Sequence, residues 1–317
     1  MSKPLPTADR LAGALPPSLW FVVSAIFHYL GPSFAVLLFP AIGVLGVAWL
    51  RIGSAALFFL PWAKPWRLLV GNHGSRRGSE SARPRGHIPL VLGLGLCLAG
   101  MNCAFYLALA RLPMSLVAAM EFLAVLGLAL YGLRSRRNAA ALGLAFGGVA
   151  LLLGGAGGWQ GVSLLEDDQF FWGLIWSGLN AILFGLYIVL GHRAARQGAG
   201  SGLQVLGAAM TVAFIAVWPV GLSEALRAFD SALLLLAAVG VGLCSSVLPY
   251  ICDLLVMSRS SRSHFAVMLS LLPATATALG AIVLAQWPGP WDLLGVGLVM
   301  LGVALHQPSE ATAPTPD

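Results

Sequence analysis

The chain has 317 residues, of which 58% are apolar and only 9% are charged, and its formal net charge is +6. Soluble domains carry about 25% charged residues, so this composition excludes an ordinary soluble protein and a large soluble catalytic module. The positive charge lies mostly in short segments between apolar runs, which is the pattern of membrane topology and not of a nucleic-acid-binding surface.

Ten apolar runs, bounded by charged residues or by Gly and Pro, are predicted to be transmembrane helices because a span needs about 20 apolar residues. In chain order they cover residues 17–39, 42–61, 88–110, 114–133, 139–157, 170–191, 203–222, 232–256, 264–285 and 291–306. Between and beside them we predict a cytoplasmic N-terminus (1–15), a flexible cytoplasmic loop (62–87), an outer linker (158–169) and a disordered cytoplasmic tail (308–317).

The basic residues predict the orientation of these spans. Short connections make neighbouring spans antiparallel, so the connections alternate between two sides of the membrane. Nearly all lysine and arginine residues fall on the side that holds both termini, and the opposite side has only Arg111 and Arg227. Both termini are therefore predicted to be cytoplasmic.

The acidic linker divides the chain into two halves of five predicted spans, residues 16–157 and residues 170–307. Both halves end in a glycine-rich run. Because five is odd, two similar halves would insert in opposite orientations, as in many secondary transporters whose substrate site lies near the midplane. The predicted fold class is an all-α integral membrane protein with ten transmembrane helices, arranged as two inverted five-helix repeats around a central cavity.

Several short clusters occur in the order and spacing of one transporter family. They are Leu38-Phe39-Pro40, Lys64-Pro65-Trp66-Arg67, Gly100-Met101-Asn102, Phe105-Tyr106-Leu107, Glu121-Phe122 and Leu248-Pro249-Tyr250. In these residues the chain resembles the bacterial threonine/homoserine exporters, which are EamA-type members of the drug/metabolite transporter superfamily. The resemblance implies two five-helix repeats around a central cavity, alternating access, and a multi-pass protein of the bacterial inner membrane. Charges that family members often carry are absent here at Val36, Leu272 and Gln286.

Three charged residues are predicted to lie within the hydrocarbon core of the membrane: Arg51, Glu121 and Asp253. A charge there costs at least about 2.5 kcal/mol, so each should face a partner or a cavity. Arg51 and Glu121 each stand eight residues from the outer end of a span, at a similar depth of about 12 Å. This predicts either a structural ion pair between them or a Glu121 that binds a substrate ammonium or a coupled proton. Asp253 is predicted at the inner mouth of the cavity or in a pair with Arg259 or Arg262.

Other polar and aromatic residues at middle depth are predicted to bind substrate together with Glu121. They are His28, Tyr29, Asn102, Tyr106, Trp176, Asn180 and Tyr250. The alternative for each of them is ordinary packing or an interhelical hydrogen bond. Helix breaks, which would free backbone groups for a site, are predicted at Gly31, Pro32, Pro249 and Pro273.

The sequence contains no HExxH motif, no Walker loop and no nucleophile elbow. We therefore predict a transporter that is not an enzyme, with no catalytic residue, metal or cofactor. Its predicted function is export of small amino acids or related metabolites of the threonine/homoserine type. The alternatives are a multidrug or aromatic-metabolite exporter and a membrane scaffold or sensor. Its predicted partners are a small-molecule substrate, the lipid bilayer and, if Glu121 carries one, a proton, but no nucleic acid.

Overall fold

The computed structural model describes residues 16–63, 88–132, 135–157, 168–195, 199–257 and 268–305. Within these ranges seven helices are long and apolar enough to cross a membrane, and three shorter apolar helices accompany them. The two predicted terminal segments, most of the predicted loop 62–87 and nearly all of the predicted linker 158–169 lie outside the described residues.

Ten helices can be traced in the described ranges, and each overlaps one predicted span. They are α1 (Pro17–Ile42), α2 (Val44–Ala63), α3 (Ile88–Leu109), α4 (Met114–Gly132), α5 (Arg136–Gly157), α6 (Asp168–Ala195), α7 (Ala199–Ala225), α8 (232–257), α9 (Leu271–Leu284) and α10 (Pro290–Leu305). Helix α8 consists of two α-helical stretches, Ala232–Gly242 and Leu248–Met257, joined by a π-helical turn, Leu243–Val247.

The predicted interruption of α1 at Gly31 and Pro32 is wrong, because α1 continues through both residues. A proline removes one hydrogen bond from a helix, and packing against neighbouring helices can outweigh that loss. Gly31 instead permits a close approach of two helices. A Cβ atom at residue 31 would overlap the Cβ atom of Ser245 in the π-helical turn of α8.

The other two predicted breaks also differ from expectation. Pro249 follows the π-helical turn, so α8 is locally widened there but stays helical on both sides. Pro273 lies in the first turn of α9, where a proline is tolerated because the first N–H groups of a helix have no partner within it.

The helices pack in a regular pattern of neighbours. Helix α2 lies along α7, and α5 lies along α10. Helix α3 contacts α6 and α7, while α8 contacts α1 and α2. Helix α4 contacts α6 and α9, and α9 in turn contacts α1. Large apolar side chains cover the outside of the bundle, as at Leu233 and Ile282, which are 76% and 75% exposed. Such a surface fits a surrounding of lipid.

The turn between α1 and α2 is fixed by a carboxylate from α7. Gly43 in this turn has φ 101°, a conformation that favours glycine. Glu224 accepts hydrogen bonds from the backbone N–H groups of Leu45 and Gly46, both at 2.9 Å. Its carboxylate thereby accepts hydrogen bonds from two otherwise unpaired donors at the start of α2. Its negative charge also interacts favourably with the positive end of the helix dipole. The two halves of the chain are joined at this end of the bundle.

Candidate functional site

Glu121 lies at the centre of the site. It is on α4, and its side chain is only 3% exposed. Asn180 Nδ2 on α6 donates a hydrogen bond of 2.7 Å to Glu121 Oε1, and the Tyr29 hydroxyl on α1 donates one of 3.3 Å to Oε2. A carboxylate inside an apolar bundle needs such donors because it has lost its hydration. These bonds join three helices, two from the first half of the chain and one from the second.

Arg51 on α2 does not form the predicted ion pair with Glu121. Its Nε donates to Ser246 Oγ and its Nη2 donates to the Ser245 carbonyl, both at 3.0 Å. Pro249, four residues after Ser245, has no N–H and so makes no α-helical hydrogen bond to this carbonyl. The guanidinium carbon also lies 5.2 Å from the centre of the Tyr106 ring, in a cation–π arrangement. Within the described residues no carboxylate approaches the guanidinium to 4.0 Å.

A second group of predicted residues adjoins this centre. Tyr250 on α8 and Asn102 on α3 are both buried. Asn102 Nδ2 donates to the Leu98 carbonyl at 2.7 Å. The Tyr250 ring lies 5.8 Å from that of Tyr187 on α6. Helices from both halves of the chain therefore supply the polar centre.

Two predicted residues have a looser relation to this centre. The His28 ring makes an edge contact with the Tyr29 ring, with 5.1 Å between their centroids, so it reaches the centre through that neighbour. Trp176 instead lies 6.5 Å from the ring of Trp172, which is half-exposed on the outside of α6. Direct contacts thus link Tyr29 and Asn180 to Glu121 and Tyr106 to Arg51, whereas Trp176 lies against Trp172.

Asp253 belongs to a separate polar contact one helical turn beyond Tyr250. The Ser24 hydroxyl on α1 donates a hydrogen bond of 2.5 Å to Asp253 Oδ1. The same hydroxyl lies 3.3 Å from the Pro249 carbonyl. The predicted arginine partners, Arg259 and Arg262, lie outside the described residues. Ser24 could not be predicted, because a single serine in an apolar run is compatible with the interior of any helix.

A cavity of about 240 Å³ lies near the start of α4, away from the central carboxylate. It is lined by Pro113, Ser115, Leu116, Leu152, Thr277, Gly280, Gln286, Trp287, Pro288 and Asp292. Gln286 Oε1 accepts a hydrogen bond of 3.1 Å from the backbone N–H of Met114 and thereby links the end of α9 to the start of α4. Along α4, Glu121 lies about 9 Å from Ser115, at 1.5 Å per residue.

Buried charged and polar side chains, contributed by several apolar helices, are the mark of a membrane transport protein. Residues 171–306 match the model of the EamA-like transporter family. Residues 171–306 therefore form an EamA-like transporter domain, and the similarities of the chain are to transporters. The predicted resemblance to EamA-type transporters is confirmed, and so is the prediction of a membrane protein with several apolar helices.

Named relatives extend the similarity over both halves of the chain. The threonine/homoserine exporter RhtA of Escherichia coli (strain K12) is 29% identical over 270 residues, which are 85% of this chain and 84% of that protein. RhtA of Salmonella typhimurium (strain LT2) is 28% identical over 285 residues, or 89% and 88% of the two chains. One crystal structure superposes with a TM-score of 0.56 at 18% identity, over 92% of this chain and 96% of its own. That likeness concerns the fold alone.

Proposed function

We propose that this transporter exports small amino acids or closely related metabolites, of the threonine/homoserine type, across the bacterial inner membrane. The observation that carries the proposal is the state of Glu121, a buried carboxylate whose direct partners are the neutral side chains of Asn180 and Tyr29. A buried carboxylate is costly unless it meets a positive charge. The ammonium group of an amino acid would supply that charge. The names of the relatives support the same class of substrate.

We further propose that the ten helices form two inverted five-helix repeats around this centre. When each helix is matched with the one five places later, the contact of α3 with α6 corresponds to that of α8 with α1. The contact of α3 with α7 likewise corresponds to that of α8 with α2. The same matching exchanges α2 with α7 and α5 with α10, so each of these two contacts is its own counterpart. This pattern of neighbours supports a pseudo-twofold axis, which in inverted-repeat transporters passes through the substrate site.

We propose that transport occurs by alternating access, and the positions of the polar groups and the cavity support this. The Ser24–Asp253 contact is one helical turn from Tyr250, towards the end of α8 that the basic residues predict to be cytoplasmic. The cavity beside Gln286 lies towards the other end of the bundle. Between them Glu121 is buried, so a substrate could reach it only after the helices move. A protein that opens to each end in turn meets this requirement.

The experiment is export of labelled threonine from proteoliposomes by the wild-type protein and by Glu121→Gln. This variant keeps the size of the side chain and removes its charge, so we expect at least a tenfold loss of rate, about 1.4 kcal/mol of barrier. Asp230→Asn is the matched control because Asp230 is exposed beyond α7, and it should keep the wild-type rate. A wild-type rate in Glu121→Gln contradicts the proposed role of the carboxylate.

A panel of substrates separates this proposal from the two alternatives. The tyrosine rings near the centre, those of Tyr29, Tyr106, Tyr187 and Tyr250, would suit an aromatic metabolite or drug. Transport of aromatic cations without transport of threonine would therefore favour the multidrug or aromatic-metabolite exporter. A correctly inserted wild-type protein that moves none of these compounds would favour the scaffold or sensor.

A further inference from the structure

Three buried polar atoms at the centre have no hydrogen-bond partner among the described residues. They are Arg51 Nη1, Tyr106 Oη and Asn180 Oδ1. All three side chains are at least nine-tenths buried. Native proteins satisfy nearly all of their buried polar groups, so several unsatisfied ones around one buried carboxylate require an explanation. A ligand that pairs with them during the transport cycle supplies it.

The unpaired atom of Arg51 is held in a defined position by the rest of its side chain. Two of its nitrogens are tied to Ser246 and to the Ser245 carbonyl of α8, and its guanidinium lies over the ring of Tyr106. A guanidinium has five N–H donors in a rigid fork, so fixing two of its nitrogens also fixes the third. The Nη1 donors are therefore preorganised to receive an acceptor.

The chemistry of the three atoms describes the ligand that fits them. Arg51 Nη1 offers donors with a full positive charge, and the same guanidinium lies over the ring of Tyr106, whose hydroxyl is also unpaired. Asn180 Oδ1 is an acceptor that lies next to the Glu121 carboxylate. The site thus has a positive, donating side and a negative, accepting side, separated by more than 4.0 Å. A zwitterion with an adjacent carboxylate and ammonium matches both sides.

We infer that Arg51 binds the carboxylate of a free amino acid while Glu121 and Asn180 bind its ammonium group. This inference rests on the proposed function and adds the determinant of substrate class. The substrate must carry both charges because an analogue that lacks either one leaves a buried charge of the protein unpaired. Amino-acid amides, esters and lactones and N-acylated amino acids are thereby excluded. The side chain of the amino acid contributes less to this selection.

The first test uses the wild-type protein and analogues of threonine. Threoninamide keeps the ammonium and lacks the carboxylate, whereas N-acetylthreonine keeps the carboxylate and lacks the ammonium. We expect each analogue to compete about a hundredfold less well than threonine for transport in proteoliposomes. We expect only threonine to raise the thermal midpoint of the protein in detergent. Equal competition by threoninamide and threonine would overturn the role of Arg51 whether or not any variant folds.

The second test uses reciprocal variants. Arg51→Gln should lose the preference for threonine over threoninamide. The difference in how well the two compounds compete for transport should fall from about a hundredfold to within about threefold. The same variant should still reject N-acetylthreonine, because Glu121 is intact. Glu121→Gln should lose the preference for threonine over N-acetylthreonine and should still reject threoninamide, because Arg51 is intact. The matched control is Arg137→Gln, an exposed arginine at the start of α5, which should keep both preferences.

The outcomes separate this inference from the proposed function. If Arg51→Gln keeps the wild-type ratio of threonine to threoninamide, the inference fails while amino-acid export stands. If Arg51→Gln cannot be purified in a folded form, Arg51→Lys replaces it. Lysine keeps the charge without the fork, so this variant should keep the preference with a weaker apparent affinity, and a lost preference would contradict the inference. If the wild-type protein neither binds nor moves any free amino acid, both proposals fail together.

Discussion

Arg51 on α2 donates a hydrogen bond of 3.0 Å from Nη2 to the backbone carbonyl of Ser245 on α8. Pro249, four residues later, has no N–H and so cannot complete the α-helical hydrogen bond to this carbonyl. A backbone carbonyl in the second half of the chain thus holds an arginine of the first half. The same contact couples the position of the arginine to the π-helical turn of α8, where π-type irregularities often accompany function.

Ser246 is the second residue that holds Arg51, and its removal should be costly. Ser246→Ala takes away the acceptor of the Arg51 Nε hydrogen bond and leaves a buried charged donor unpaired. We expect a loss of about 1–3 kcal/mol in the free energy of unfolding. The measurement is the thermal midpoint of the purified protein in detergent, together with threonine transport, which should weaken because the guanidinium is less firmly placed.

Ser177→Ala provides the matched control for this substitution. Ser177 is fully buried on α6, and its hydroxyl has no hydrogen-bond partner in the described part of the chain. Removing that hydroxyl leaves nothing unpaired, so the thermal midpoint should stay the same or rise. An equal effect of the two substitutions would mean that the bond from Arg51 to Ser246 contributes nothing.

Gly31 should tolerate no side chain. In Gly31→Ala the new methyl group would overlap Ser245, so α1 and the π-helical turn of α8 would have to separate. Overpacking of this kind costs about 1–3 kcal/mol. The displaced turn also carries both acceptors of Arg51, so we expect a loss of threonine transport beyond the loss of stability. Thermal midpoints and proteoliposome transport measure the two effects separately.

Gly178→Ala is the control for the backbone effect of this change. A Cβ atom at residue 178 would meet no atom within 4 Å, so it adds no clash on α6. Replacing glycine by alanine inside a helix stabilises it by roughly 0.5–1 kcal/mol. The two glycine variants should therefore shift the thermal midpoint in opposite directions. A shift in the same direction would refute the close contact between Gly31 and Ser245.

The sequence could predict the helices and the charged centre because both depend on strong local signals. Apolar runs long enough to span a membrane define the helices, and the cost of a charge in hydrocarbon singles out Glu121 and Arg51. It could not predict that Ser245 and Ser246 hold Arg51, since small polar residues fit any packed helix. The proline and glycine rule failed at Gly31 because close packing, which local sequence does not encode, decided the conformation there.

The topology prediction can be tested at two positions. Trp287, between α9 and α10, is 78% exposed and lies on the side predicted to face outward, whereas Asn72 lies outside the described residues in the predicted cytoplasmic loop. In intact cells we expect an impermeant thiol reagent to label Trp287→Cys and not Asn72→Cys. The wild-type protein, whose four native cysteines lie within the predicted spans, gives the background. The reverse labelling pattern would invert the proposed orientation.

The last prediction concerns the energetic coupling of Arg51 and Glu121, which are opposite charges in one apolar bundle without direct contact. Removing either charge takes away the attraction that the other one gains across the bundle, so the free energy of unfolding of Arg51→Gln and of Glu121→Gln should each include the loss of this shared attraction. Removing both leaves no net buried charge. The double variant should therefore lose about 1–3 kcal/mol less than the sum of the single losses, although each side chain has its own hydrogen-bond partners. A double-mutant cycle on unfolding in detergent measures this difference. Additivity to within about 0.5 kcal/mol would mean that the two charges do not share a common field, and a substrate zwitterion would then have no reason to bridge them.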